Sequence, residues 1–247
     1  MKHKRPGDRI PDVTFRTRTD FGWKDVTTKE IFDGKDVVVF SLPGAFTPTC
    51  SSSQLPGYNR AAATFKAHGI DEVVCISVND AFVMNEWCRT QRADQVTLVP
   101  DGNGEFTEAM GMLVDKRDLG FGARSWRYSM LVRDGVIDAL FVEPDKPGDP
   151  YEVSDPETML KHIAPQAALP DAVALLVRAG CAHCARAKAM LDARGIAYDV
   201  VEAATGDLLQ AISGARTTPQ VFIGGEHIGG ADDLARYLER RATREAA

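Results

Sequence analysis

The stretch Val37-Val38-Val39-Phe40-Ser41 constrains the fold of this chain more than any other feature. Bounded by Lys35-Asp36 before it and Leu42-Pro43-Gly44 after it, the run has the pattern of a buried strand that ends in a turn. A similar run, Glu72 to Val78, stops at Asn79-Asp80, and the segment from Ser51 to His68 between the two lacks β-branched clusters. Strand, helix, strand is the order of a βαβ unit. A third strand is expected at Val96 to Val99, while Ser125 to Val132 and Val136 to Val142 flank Asp134-Gly135, a hairpin turn signal. The N-terminal part therefore reads as mixed α/β.

From residue 164 to 170 the chain turns to Ala, Pro and Gln without a periodic apolar face, which suits a linker. Beyond it, strands are expected at Ala172–Val177, Ala197–Glu202 and Val221–Ile223, with helices at Ala185–Arg194 and Ala231–Arg241. Two domains follow, 1–163 and 171–247, as suits 247 residues at about 150 per domain. No apolar run approaches the roughly 18–20 residues of a membrane span. Basic residues in 1–5 lead into Pro6-Gly7-Asp8-Arg9 rather than an apolar stretch, so no export signal is read and the cytoplasm is the expected location. Five cysteines are too few for a disulfide framework. A net charge of -6 argues against nucleic acid as a partner.

Cys50 lies just past the first strand and opens an expected helix, where unpaired N–H groups and the helix dipole favour a thiolate. Taken alone, it reads more readily as a half-buried, inert thiol. Its lead-in decides: Pro43, Thr47 and Cys50 match P-x-x-x-T-x-x-C, and Gly44-Ala45-Phe46-Thr47-Pro48-Thr49-Cys50 resembles the active-site segment of the fifth, atypical peroxiredoxin subfamily. Gly7-Asp8-Arg9-Ile10-Pro11, Ser77-Val78-Asn79-Asp80 and Arg127-Tyr128-Ser129-Met130 extend the similarity. The resemblance implies a peroxide pocket at Pro43, Gly44 and Thr47, with Cys50, Thr47 and Arg127 catalytic. Such a cysteine cleaves the O–O bond, donors and a guanidinium stabilise the charge on the leaving oxygen, and a sulfenic acid remains. Some relatives carry a resolving cysteine after the hairpin, but residues 143–160 contain none. Cys75 and Cys88 read as buried structural thiols and are the fallback resolvers.

Cys181-Ala182-His183-Cys184 follows a strand and opens a helix, the setting of a thiol redox motif. Zinc would need about four ligands, and this half has no second cysteine pair, so no metal is expected. Gly180-Cys181-Ala182-His183-Cys184, Thr217-Thr218-Pro219-Gln220 and Gly229-Gly230-Ala231-Asp232 resemble a dithiol glutaredoxin, with Ala182 and His183 replacing the usual proline and aromatic. The resemblance implies Cys181 as nucleophile, Cys184 as its partner, and glutathione contacts at Arg178, Thr218, a cis Pro219, Gly230, Ala231 and Asp232, with Arg216 assisting.

Together the halves are similar to bacterial peroxiredoxin–glutaredoxin hybrids, implying two thioredoxin-like α/β domains with mixed central sheets flanked by helices. The implied activity is reduction of hydrogen peroxide and organic (alkyl) hydroperoxides, with glutathione as reducing co-substrate, no tightly bound cofactor, and glutathione reductase acting indirectly. A homo-oligomer, dimer or tetramer, is expected, with no membrane partner. Recycling by thioredoxin, or a redox sensor that does not turn over, are the other readings.

Overall fold

The computed structural model describes residues 3–202 and 205–245 and divides into two compact units, Met1–Leu169 and Pro170–Ala247. The first runs β1 (Thr14–Thr19), β2 (Gly22–Thr27), α1 (Thr28–Phe32), β3 (Asp36–Leu42), a π-helical turn (Cys50–Gln54), α2 (Leu55–Ala67), β4 (Glu72–Ser77), α3 (Ala81–Gln91) and β5 (Thr97–Pro100). It continues with α4 (Glu105–Ala109), β6 (Leu113–Asp115), β7 (Ala123–Ser125), β8 (Tyr128–Arg133), β9 (Val136–Val142) and α5 (Pro156–Ile163). The main sheet has the order β5-β4-β3-β8-β9; β3, β4 and β5 pair in parallel, whereas β8 is antiparallel to both β3 and β9.

β3 is apolar at nearly every position because both faces of this sheet are covered. Val38, Phe40 and Leu42 point into a core with Tyr58, Phe65 and Trp87, and Val37 and Val39 into one with Phe15, Phe32 and Phe106. Phe40 stacks on Tyr58 with ring centroids 4.2 Å apart; burying a side chain of this size contributes about 1.5–3 kcal/mol. β4 alternates the same way, which places Cys75 on the face that also holds Cys50.

Asp134-Gly135 forms the expected two-residue hairpin, with φ of 44° and 72°, the left-handed pair of a type I′ turn. The strand expected from Ser125 to Val132 is broken. Ser125 pairs with Leu113 and the Trp126 N–H donates to the Met112 carbonyl, so the chain changes partners at Trp126-Arg127 before β8 begins. The helix expected to open at Cys50 does so, with a π-helical first turn before α2. The exposed β1–β2 hairpin was not foreseen from the sequence, its strands being mostly polar, with Phe15 the buried residue of β1. Residues 164–170, expected as a linker, largely join the first unit: Ala164, Ala167 and Leu169 pack against its core, so the division falls after Leu169.

The second unit runs β10 (Val173–Val177), α6 (Ala182–Asp192), β11 (Asp199–Glu202), α7 (Gly206–Ser213), β12 (Gln220–Ile223), β13 (Glu226–Gly229) and α8 (Ala231–Glu245), with sheet order β11-β10-β12-β13. Val173, Leu175 and Val177 alternate inward against Cys184, Ala187 and Leu191 of α6 and Ala231, Leu234 and Leu238 of α8. Those helical spacings are one face of a 3.6-residue period. Helix α6 starts at Ala182, three residues before the expected start, because Cys181 caps it as a serine or aspartate would, its sulfur accepting the Cys184 N–H.

Candidate functional site

After β3 the loop folds on itself to bring Cys50 to the start of the π turn. Phe46 adopts φ 62°, a left-handed conformation rare for a large side chain. Thr47 donates its Oγ1–H to the Gly44 carbonyl at 2.8 Å, and the Ser51 N–H donates to the Thr47 carbonyl at 3.0 Å. Asn79, just past β4, ties the other side, its Oδ1 accepting from the Ala45 N–H at 2.9 Å and the Ser77 hydroxyl at 2.8 Å. Pro43 is half-buried and Gly44 buried. A Cβ on Gly44 would touch Thr47, Asn79 and Arg124, so the loop wall closes around this glycine.

Cys50 is fully buried, and so is Arg127, brought beside it from the junction between β7 and β8. Arg127 Nη1 donates to Cys50 Sγ at 3.5 Å and also to Gln54 Oε1. Its Nη2 donates to Asp149 Oδ1 at 2.5 Å. Burial works against the guanidinium charge, but the Cys50 sulfur and the Asp149 carboxylate outweigh it and hold Arg127 above its ordinary value. A thiolate in such a place needs a partner charge, and this guanidinium supplies it. The neighbouring arginines are spent elsewhere: Arg124 donates to the carbonyls of Val78 and Phe121, and Arg133 pairs with Asp36 and Asp138. Gln54 and Asp149 were not identified from the sequence. Gln54, four residues beyond Cys50 in an expected helix, was findable by spacing; Asp149 sits in a loop with no periodic signal.

Cys75 is fully buried, and burial pushes its thiol well above the ordinary value. Cys88 is half-buried on α3 rather than buried, with a thiol also raised by burial and its Sγ 3.7 Å from the Ala93 carbonyl.

In the second unit, Cys181 Sγ accepts from the Cys184 N–H at 3.1 Å and from the Thr218 hydroxyl at 3.4 Å, and lies 3.5 Å from the Thr218 carbonyl. The peptide bond between Thr218 and Pro219 is cis. Burial opposes ionisation of Cys181, but the donors from Cys184 and Thr218 prevail and lower its pKa; burial and the neighbouring sulfur raise that of Cys184. A cavity of about 340 Å³ opens beside Cys181, lined by Arg178, Gly180, Lys188 and Glu202 among others. Lys188 was not singled out from the sequence.

The remaining expected contacts are less open. Asp233 Oδ2 accepts the Gly230 N–H at 2.9 Å, so that donor is occupied, and Asp232 pairs with Arg186. Ala231 and Asp232 still open α8, where first-turn N–H groups have no intrahelical acceptor. Arg216 pairs with Asp207. Among the described residues, no group of three or more His, Cys, Asp or Glu is placed to hold a metal, and no helix is long and apolar enough to cross a membrane.

Residues 5–160 match the Redoxin family and residues 173–228 the Glutaredoxin family. A hybrid peroxiredoxin, hyPrx5, of Haemophilus influenzae is 55% identical over 235 residues, covering 94% of this chain and 98% of its own. A Synechocystis peroxiredoxin is 54% identical over 169 residues, covering 63% of this chain and 89% of its own. The crystal structure of reduced Prx3 from Vibrio vulnificus in complex with hydrogen peroxide superimposes with a TM-score of 0.61 at 41% identity, covering 65% of this chain and 99% of that one.

Proposed function

Because this chain belongs to the hybrid peroxiredoxins, a peroxiredoxin unit followed by a glutaredoxin unit in one polypeptide, we propose that it is a glutathione-dependent thiol peroxidase acting on hydrogen peroxide and organic hydroperoxides. Peroxidase chemistry with glutaredoxin-linked reduction comes with that membership; glutathione as electron source and the peroxide substrates are the further step. One observation carries it: Cys75 is fully buried and the Cys88 thiol is turned to the Ala93 carbonyl, whereas the half-exposed Cys181 sulfur accepts from the Cys184 N–H and the Thr218 hydroxyl beside a cavity lined by Arg178 and Lys188. The good attacking thiol lies in the glutaredoxin unit.

The Cys50 thiolate attacks one peroxide oxygen, the O–O bond breaks, and the leaving oxygen takes a proton to depart as water or an alcohol. Since Thr47 spends its hydroxyl proton on Gly44, its oxygen accepts from the peroxide O–H. Arg127 stabilises charge on both sulfur and leaving oxygen. Glutathione condenses with the sulfenic acid, releasing water and leaving a mixed disulfide. Cys181 takes over the glutathionyl group and frees Cys50; a second glutathione then attacks the glutathionyl sulfur, releasing glutathione disulfide and the Cys181 thiolate, or Cys184 displaces glutathione to close a Cys181–Cys184 disulfide that two glutathiones reopen, again yielding one glutathione disulfide. The sum is one peroxide and two glutathiones to water, water or alcohol, and glutathione disulfide.

Glutathione carries two carboxylates and an ammonium. Arg178 and Lys188 in the cavity, the Thr218 backbone before Pro219, and the Ala231 and Asp232 N–H groups at the start of α8 are the complementary partners. No tightly bound cofactor is required, a separate NADPH-dependent reductase restores glutathione, and the chain works as a homodimer or tetramer in the cytoplasm. NADPH consumption with hydrogen peroxide, glutathione and glutathione reductase tests this. Loss of turnover in both Cys50→Ser and Cys181→Ser is expected; Cys184→Ser separates the dithiol from the monothiol route. Full turnover without Cys181, or activity with thioredoxin and none with glutathione, overturns it.

A further inference from the structure

The proposed chemistry makes no use of residues 143–155, yet this segment supplies the other half of the hydrogen bonding of Arg127. Nη1 faces Cys50 and Gln54, whereas Nη2 is held by Asp149 at 2.5 Å, and the Tyr151 ring centroid lies 5.5 Å from the guanidinium carbon. The segment is itself fastened at its root. Glu143 is 2% exposed, and its carboxylate accepts the N–H groups of Glu152, Val153 and Ser154 and the Ser154 hydroxyl at 2.7–3.0 Å. From α2, the Tyr58 hydroxyl donates to the Ser154 carbonyl at 2.8 Å. The same root grips the backbone around Arg127: the Glu143 N–H donates to the Arg127 carbonyl at 3.1 Å, and the Trp126 indole N–H donates to the Glu143 carbonyl at 2.8 Å.

We propose that Asp149 is a positioning residue for Arg127, delivered by a strap that Glu143 clasps, and that it fixes the guanidinium against the Cys50 sulfur and the leaving peroxide oxygen. This rests on the reading of Cys50 as the peroxide-reducing thiol. The sign of the charge supports a geometric role. An anion behind Arg127 opposes a thiolate in front of it, so Asp149 does not serve thiolate formation. What it adds is a second anchor: with both terminal nitrogens engaged, the guanidinium is held against rotation out of its plane, and preorganised donors work only when aimed where charge develops.

The signs give a test in which two rates move apart. In the reduced full-length chain, Asp149→Ala and Asp149→Asn are compared with the parent for oxidation of Cys50 by hydrogen peroxide and for its alkylation by iodoacetamide across pH. The Ala variant is expected to be oxidised about 10- to 100-fold more slowly, with Asn between it and the parent. Alkylation should not slow, because Asp149 bonds to the guanidinium and not to the sulfur. Asp149→Glu should regain part of the oxidation rate. Oxidation that is unchanged, that rises with the thiolate fraction, or that falls in parallel with alkylation overturns the positioning role. Cys50→Ser and Arg127→Ala separate this from the parent reading: if either keeps the parental peroxide rate, the site itself is misassigned, whereas if both lose it and Asp149→Ala does not, only the positioning role fails.

Discussion

Cys50 and Cys181 occupy the same place in their units, at the start of a helix that follows a short inner strand, yet their sulfurs are handled by opposite means. Cys50 is fully buried and meets a buried guanidinium. Cys181 is half-exposed and meets uncharged groups, the Cys184 N–H, the Thr218 hydroxyl and carbonyl, and the neighbouring thiol. A full countercharge in a dry pocket is strong and holds one geometry; helix-end donors are weaker, and they leave the sulfur reachable by another molecule. The first arrangement suits a small substrate and a single demanding bond cleavage. The second suits exchange between large thiol partners.

Removing the countercharge is the harshest way to break this comparison. Arg127→Ala should slow oxidation of Cys50 by peroxide about 10²- to 10³-fold, leave Cys181-dependent reduction of a small mixed disulfide unaltered, and be poorly rescued by Arg127→Lys, which lacks the fork. Rapid-mixing oxidation and a disulfide-reduction assay on one preparation read both effects. If both activities fell together, the two sites would not be independent.

Next in size is Glu143→Gln, which puts an amide where three backbone donors expect an anion. A loss of about 2 kcal/mol is expected, confined to the first unit and measurable by denaturant unfolding. Burial would raise the Glu143 pKa, but the donors from residues 152–154 outweigh it and hold it below the usual carboxylate range. Its contribution is therefore complete above the ordinary glutamate value and is lost as pH falls through the lowered one. The stability of the variant should be flatter over that acid window.

Thr218→Val sharpens the other side. It removes the hydroxyl donor from Cys181, so the pH midpoint of Cys181 alkylation should rise while the peroxide rate of Cys50 stays the same. The smallest effect is that of salt. Exposed cations are screened and buried pairs much less so, so higher ionic strength should raise the KM for glutathione severalfold at most, through Arg178 and Lys188, and spare the oxidation of Cys50. Equal sensitivity at both sites would contradict the buried-versus-exposed contrast.

The placement of Cys50 and Cys181 was legible because each is set in local pattern: apolar run, turn, cysteine, helix. Arg127 could be chosen over Arg124 and Arg133 only by resemblance, since those two flank the expected strand Ser125–Val132 that holds it, and it is the change of partner strand at Trp126 that aims it at the sulfur. Asp149 left no trace, because the contact spans 22 residues through a segment without periodicity. Conversely, the Gly230 N–H looked open to a ligand, but Asp233, three residues on, folds back and occupies it. Local chemistry can be read along the chain; which distant group completes it depends on tertiary closure.

Trp87 is wholly buried, and its indole N–H donates to the hydroxyl of Ser51, the residue after Cys50, at 3.0 Å. The turn at Cys50 is thus tied to a fluorophore. A shift of the backbone at Ser51 would alter that bond and the polarity around the indole, so in a chain with Trp23 and Trp126 replaced by Phe the emission of Trp87 would report on events at the Cys50 turn.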